Sequence, residues 1–159
     1  MLRISKLTDY ATVILGSLAQ APERQRTAAE LALATHVAAP TVSKLLKQLQ
    51  RAQLVASARG LRGGYRLARP AEQITAAQIL DALEGPIALT SCANADHRCD
   101  LETTCRVGGA WQRVSIAIRH SLDGITLAEL AGLSAVPVRF AAFDARLRRG
   151  PRNHGPSST

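Results

Sequence analysis

A chain of 159 residues that is 47% hydrophobic but only 3% aromatic, and rich in Ala and Leu, can bury one substantial core and favours helices over a strand-rich sandwich. No apolar run approaches the roughly 20 residues of a membrane span, and the start, Met1 to Lys6, lacks the apolar core of a signal peptide, so a cytoplasmic protein with reduced thiols and no membrane partner is expected. The net charge of +8 is uneven: residues 1–70 hold eleven Lys and Arg against three acids, residues 71–136 four Arg against eight acids, and the tail from Pro137 five Arg against one Asp. A basic first part suits a polyanion such as nucleic acid, and an acidic middle does not.

Ser5 is placed to cap a first helix, along which Leu7, Tyr10, Ala11, Ile14 and Leu18 recur at helical spacing until Ala21-Pro22 stops it. Thr27-Ala-Ala-Glu30 is a capping box, in which hydroxyl and carboxylate each satisfy an orphan backbone N–H, and it predicts a short helix from Ala28 to about Thr35. After the turn His36-Val37-Ala38, Pro40 opens a third helix with Val42, Leu45, Leu46 and Leu49 inward and Thr41, Lys44, Lys47, Gln48 and Arg51 outward. Two helices joined by so short a turn, the second presenting hydroxyl, amide and cationic groups, form a helix-turn-helix whose second helix fits the DNA major groove. Leu54-Val55-Ala56 and Tyr65-Arg66-Leu67 read as two strands around a glycine-rich tip, where Arg59 and Arg62 can reach a phosphate or a narrow minor groove. Helix-turn-helix plus hairpin is a winged helix, and double-stranded DNA is the partner it implies.

Thr75-Ala-Ala-Gln78 is a second capping box, for a helix through Leu83 that ends at Glu84-Gly85-Pro86. Beyond the cysteines, Val107, Trp111, Val114, Ile118, Leu122 and Ile125 fall at steps of three and four, the spacing of a coiled-coil seam, and a seam needs a partner helix. Thr126-Leu-Ala-Glu129 is a third capping box, for a last short helix from Leu127 to Leu133. The expected organisation of this mostly α chain is a winged-helix DNA-binding region over 1–70, a connecting helix and linker over 71–91 and a cysteine loop over 92–105. A dimerisation helix over 106–125, a short C-terminal helix over 126–136 and a basic, disordered tail over 137–159 complete it.

Cys92, Cys99 and Cys105 are all the cysteines the protein has, with six and five residues between them. Three thiols cannot pair off evenly, and these gaps are too wide for a structural zinc knuckle. Their polar segment, rich in Asn, Asp, His and Thr, is unlike the helix-core positions of inert buried cysteines. A thiol switch would draw on Arg98 and Arg106 to lower a thiol pKa. An iron-sulfur cluster needs thiolates spread over a loop wide enough to wrap the inorganic core, with a fourth donor, and it fits the spacing best. A cysteine-nucleophile enzyme would need a base such as His97 or His120 and a substrate pocket that no segment supplies, so no enzyme activity is expected.

The opening Ile4-Ser-Lys-Leu-Thr-Asp-Tyr10, the helix Ala39-Pro-Thr-Val-Ser-Lys-Leu-Leu-Lys-Gln-Leu49, the wing Arg59-Gly-Leu-Arg-Gly-Gly-Tyr-Arg-Leu67 and the three spaced cysteines resemble the Rrf-type regulators that include IscR, NsrR and RirA. The resemblance runs from Met1 to about Leu133 and is greatest to the regulators of the SUF iron-sulfur assembly system, which share the Glu-Gly-Pro before the loop. It implies a homodimeric winged-helix transcription factor, a repressor of iron-sulfur assembly genes that senses iron-sulfur status or oxidative or nitrosative stress. It also implies a pseudo-palindromic operator, a dimer interface on the seam helix and a cluster, 2Fe-2S rather than 4Fe-4S, on Cys92, Cys99 and Cys105. Carried over by position, Thr41, Ser43 and Lys44 would face bases and Arg59 would enter the minor groove, beside Lys47, Gln48 and Arg62 on the same helix and wing. IscR-like members carry a ligand His where this chain has Gly108, and the first cysteine gap is one residue longer than theirs. The fourth ligand would then be Asp9 of the partner subunit, as in NsrR-like members, with His97 and Glu102 as alternatives. A clusterless thiol-redox or zinc-responsive regulator of the same fold is the other reading.

Overall fold

Four helices begin where a hydroxyl takes up a free backbone N–H. A computed structural model describes residues 4–60, 63–86 and 108–134, and in it Ser5 caps α1 (Lys6–Ala19), Thr27 caps α2 (Ala28–Thr35), Thr75 caps α4 (Ala76–Glu84) and Thr126 caps α6 (Leu127–Leu130). The last three are full capping boxes with Glu30, Gln78 and Glu129, as the sequence predicts. α3 (Ala39–Arg51) starts on Ala38 without a side-chain cap; Pro40 lies in its first turn, where a missing N–H is harmless. The strands β1 (Val55–Ala58) and β2 (Gly64–Leu67) follow, then a short 3-10 turn over Ala71–Gln73, and α5 (Gly108–Asp123) separates α4 from α6. The described residues are mostly helical with an antiparallel hairpin, as composition and the two short apolar runs led us to expect.

α1 is the post against which most of the described elements pack. Ala11, Ile14, Leu15 and Leu18 are almost completely buried, and α2, α3, α4, α6 and β2 all touch this helix. Leu7 and Tyr10, predicted on the same inward face, instead lie 37% exposed on its flank, because the buried stripe follows the 11-14-15-18 spacing and turns away from them. α2 leaves through His36 in the left-handed region (φ 56, ψ 22), an uncommon conformation for a non-glycine residue, and this tight turn sets α2 against α3. Val42, Leu45, Leu46 and Leu49 of α3 are fully buried, so the opposite face of that helix is fixed toward solvent.

The hairpin pairs Val55 with Leu67 and Ala58 with Gly64, each strand extending slightly further toward the tip than the apolar pattern suggests. Its other edge is also paired. Arg26 bridges Tyr65, with Arg26 N–H donating to the Tyr65 carbonyl at 3.0 Å and Tyr65 N–H returning to the Arg26 carbonyl at 2.8 Å. This one-residue strand has no alternation to betray it in the sequence. It explains Gly64, since a Cβ there would lie 2.9 Å from the Arg26 backbone.

A second bridge joins Thr75 to Thr126, the caps of α4 and α6. Ala76 N–H donates to the Ile125 carbonyl at 2.8 Å and Leu127 N–H to the Ile74 carbonyl at 2.7 Å, so the chain leaving α5 returns to the start of α4. α6 stops sooner than the predicted Leu133. Gly132 adopts φ 67, its N–H donates to the Glu129 carbonyl at 3.1 Å and Leu133 N–H to the Ala128 carbonyl at 2.8 Å, a glycine-closed helix end. Replacing Gly64 by Ala forces a methyl into the Arg26 backbone, and the expected outcome is a loss of more than about 1 kcal/mol of unfolding free energy, read as a lower urea midpoint at unchanged m-value.

Candidate nucleic-acid interface

Lys44, Lys47 and Arg51 stand exposed along α3, with Thr41, Ser43 and Gln48 half-buried among them. Arg59 beside Gly60 at the wing tip and Arg66 on β2 are exposed as well. None of these five cations forms an ion pair with another described residue, so their charge is free for an outside anion. Arg62 lies outside the described residues.

A group that sequence reasoning missed ties the two parts together. Gln50 Nε2 donates to Ser57 Oγ at 2.9 Å, joining the last turn of α3 to β1. An exposed Gln on a helix carries no sequence signal of such a contact, because its partner is set by how the hairpin folds back.

Cys92, Cys99 and Cys105, with His97 and Glu102, lie outside the described residues, and so does the basic tail. Among the described residues no group of three His, Cys, Asp or Glu side chains could hold a metal ion. What is described is the frame on either side of the cysteine segment. Glu84, the last residue of α4, accepts a hydrogen bond from Thr8 Oγ1, and Thr8 is 3% exposed. Hydrogen bonds from Ser5 and Thr8 hold the Glu84 carboxyl below the ordinary glutamate range. Asp9, the next residue on α1, is exposed in its first turn, which places this carboxylate at the end of the molecule from which the cysteine segment departs.

On the far side, α5 packs on α4. Arg119 donates from both Nη atoms to Asp81, at 2.9 and 2.6 Å, and approaches Asp123 at 3.9 Å. The predicted seam is partly covered: Ile118 and Leu122 are half-buried and Ile125 is buried, but Trp111 and Val114 stay 45% and 43% exposed. A cleft of about 420 Å³ lies elsewhere, between the end of α1 and the connection from β2 to α4, with Glu23, Arg66, Arg69 and Glu72 on its walls.

A basic helix-turn-helix with a basic wing defines a DNA-binding transcriptional regulator. The chain belongs to the Rrf2 family, described as iron-dependent transcriptional regulators, whose sequence profile matches residues 4–132. It is 33% identical over 130 residues to protein aau3 of Rhizobium meliloti, a match covering 81% of this chain and 84% of that protein. Among solved structures it is similar to CymR, the global cysteine regulator of B. subtilis, with a TM-score of 0.65 at 29% identity, covering 84% of this chain and 99% of CymR. IscR of T. potens gives a TM-score of 0.58 at 26% identity, covering 95% of this chain and 93% of IscR. The family regulates transcription and is not one of enzymes, as the sequence led us to expect. No helix among the described residues is long and apolar enough to cross a membrane.

Because the Glu84 carboxyl is depressed in the folded state, its contribution to stability is complete above the ordinary glutamate range and is lost as pH falls through the folded value. Glu30 and Glu129, depressed by the backbone N–H and hydroxyl of their capping threonines, act in the same sense. Stability measured by urea titration across the acidic range should therefore fall toward low pH, and Glu84→Gln should flatten part of that fall. An unchanged slope in the variant would show that the carboxylate contributes nothing.

Proposed function

We propose that the protein is a homodimeric, cytoplasmic repressor of iron-sulfur assembly genes that senses iron-sulfur status or oxidative or nitrosative stress through a 2Fe-2S cluster on Cys92, Cys99 and Cys105. The observation that carries this reading is the donor set: a chain of an iron-dependent regulator family keeps all its thiols in one polar segment. Three thiolates with one oxygen or nitrogen donor suit iron and sulfide far better than a hard cation such as magnesium. Asp9 of the partner subunit is the favoured fourth ligand, with His97 and Glu102 as alternatives. Bound there, the cluster supplies a group that oxidants and nitric oxide can alter.

The rest is done by the chain's own residues. Thr41, Ser43 and Lys44 read base edges, Lys47 and Gln48 extend that face, and Arg59 with Arg62 reaches the minor groove from the wing. Trp111 and Val114 leave apolar surface that a second α5 would cover, and the symmetry of such a dimer calls for a pseudo-palindromic operator with half-sites about 10 base pairs or a multiple apart. A second reading, a clusterless thiol-redox or zinc-responsive regulator of this fold, is favoured by the likeness to CymR.

Anaerobic purification separates the two. A brown protein containing iron and acid-labile sulfide, and turned colourless by Cys→Ser at any of the three positions, is expected; a colourless wild type with zinc or only free thiols supports the second reading. Asp9→Ala is expected to lose the visible spectrum or its stability to air, whereas retention of both, with loss in His97→Ala or Glu102→Ala, reassigns the fourth ligand. For DNA, affinity should fall steeply with salt, and Lys47→Ala should weaken binding to all sequences alike while reducing the log–log salt slope by about 1.

A further inference from the structure

α4 has nine residues and spans about 13 Å, yet three of its side chains reach three different parts of the molecule. Glu84, at the root of the cysteine segment, is held on α1 by Thr8. Asp81 takes both ends of the Arg119 guanidinium from α5. Gln78, in the first turn, accepts through Oε1 from Arg69 Nη2 at 2.8 Å and from the Thr75 backbone N–H at 3.1 Å. Arg69 stands two residues beyond β2, so this last contact ties the base of the wing to the helix that leads into the cysteines.

The Arg69 contact leaves one of its donors over. Its Nε is buried without a hydrogen-bond partner among the described residues, which disfavours the present arrangement against one in which the guanidinium is fully satisfied. An alternative is at hand, because Arg69 also lines the cleft whose walls carry Glu23 and Glu72, and that cleft has room for a guanidinium turned outward. One side chain thus touches α4 and also borders a cleft walled by Glu23 and Glu72, with Arg66 beside them.

We propose that Arg69 is a positioning residue for the wing, and that its exchange between Gln78 and the Glu23–Glu72 cleft conveys the state of the cysteine segment, through α4, to the DNA-reading surface. The proposal deepens the sensor reading given above and rests on it. While α4 is held at its Glu84 end, Gln78 keeps Arg69 and the wing leans on the helix; a shift of α4 withdraws Gln78 and frees the wing base.

The test uses the full-length protein and a duplex selected by the wild type from a random-sequence library. Its dissociation constant is measured with the cysteines intact and with Cys92, Cys99 and Cys105 all changed to Ser, and the ratio of the two is compared across backgrounds. In the wild type the ratio should be about tenfold, within the usual range of coupling between sites. In Arg69→Met, which keeps the apolar stem and removes the donor, it should collapse toward one, with both constants near the cysteine-free value. Gln78→Glu keeps the cap and makes the contact charge-assisted, so its ratio should also collapse, but with both constants near the cysteine-intact value; it carries the test alone if Arg69→Met does not fold. A wild-type ratio preserved in the variants overturns the Arg69 relay and leaves the sensor standing. A ratio of one in the wild type itself overturns both.

Discussion

The buried stripe of α1 is shared by five of the other described elements. Ala11, Ile14, Leu15 and Leu18 form the common surface of the α2–α3 pair, the wing through β2, the helix α4 that leads toward the cysteine segment, and α6. A side chain lost from this stripe would be felt at the helix-turn-helix and at the root of the cysteine segment together, because close-packed interiors transmit displacement rather than absorb it. The same helix carries Thr8, which meets Glu84, and Asp9 beside it. The post that supports the reading head therefore also touches the root of the segment proposed to sense.

What the sequence made legible was local chemistry. Three capping boxes placed three helix starts to the residue, since a Thr followed three positions later by Glu or Gln meets a need that exists only at a helix N-terminus. The inward face of α3 and the hairpin were equally plain, written in periods of 3.6 and 2. The cationic half of the candidate DNA surface, Lys44, Lys47 and Arg59, is exposed as its polarity suggested, while Thr41, Ser43 and Gln48 sit deeper.

Relations between distant residues were not legible. Arg26 pairs with Tyr65 as a single-residue strand, too short to alternate. Gln78 was recognised as a cap, but nothing in its neighbours indicated that the same oxygen also holds Arg69. Leu7 and Tyr10 have the spacing of core residues and lie at the surface, because periodicity gives a stripe's pitch and not where along it the covering elements end. Gly132 ends α6 a turn early, and Gly64, in the glycine-rich part of the wing, is a point of close approach to the Arg26 backbone.

The pairing of Thr75 with Thr126 gives the chain a modular character. The polypeptide departs at the first of these residues and is back beside it at the second, so α4, the cysteine segment and α5 form one closed excursion with its ends pinned together. Within such an excursion a change in the length of the flexible connection costs only a slow logarithm, about 0.6 kcal/mol for each doubling. A cysteine segment could thus be lengthened, shortened or given different ligands without rebuilding the α1–α3 head beneath it. That is the arrangement an evolving family needs if one DNA-reading scaffold is to be fitted with different sensors.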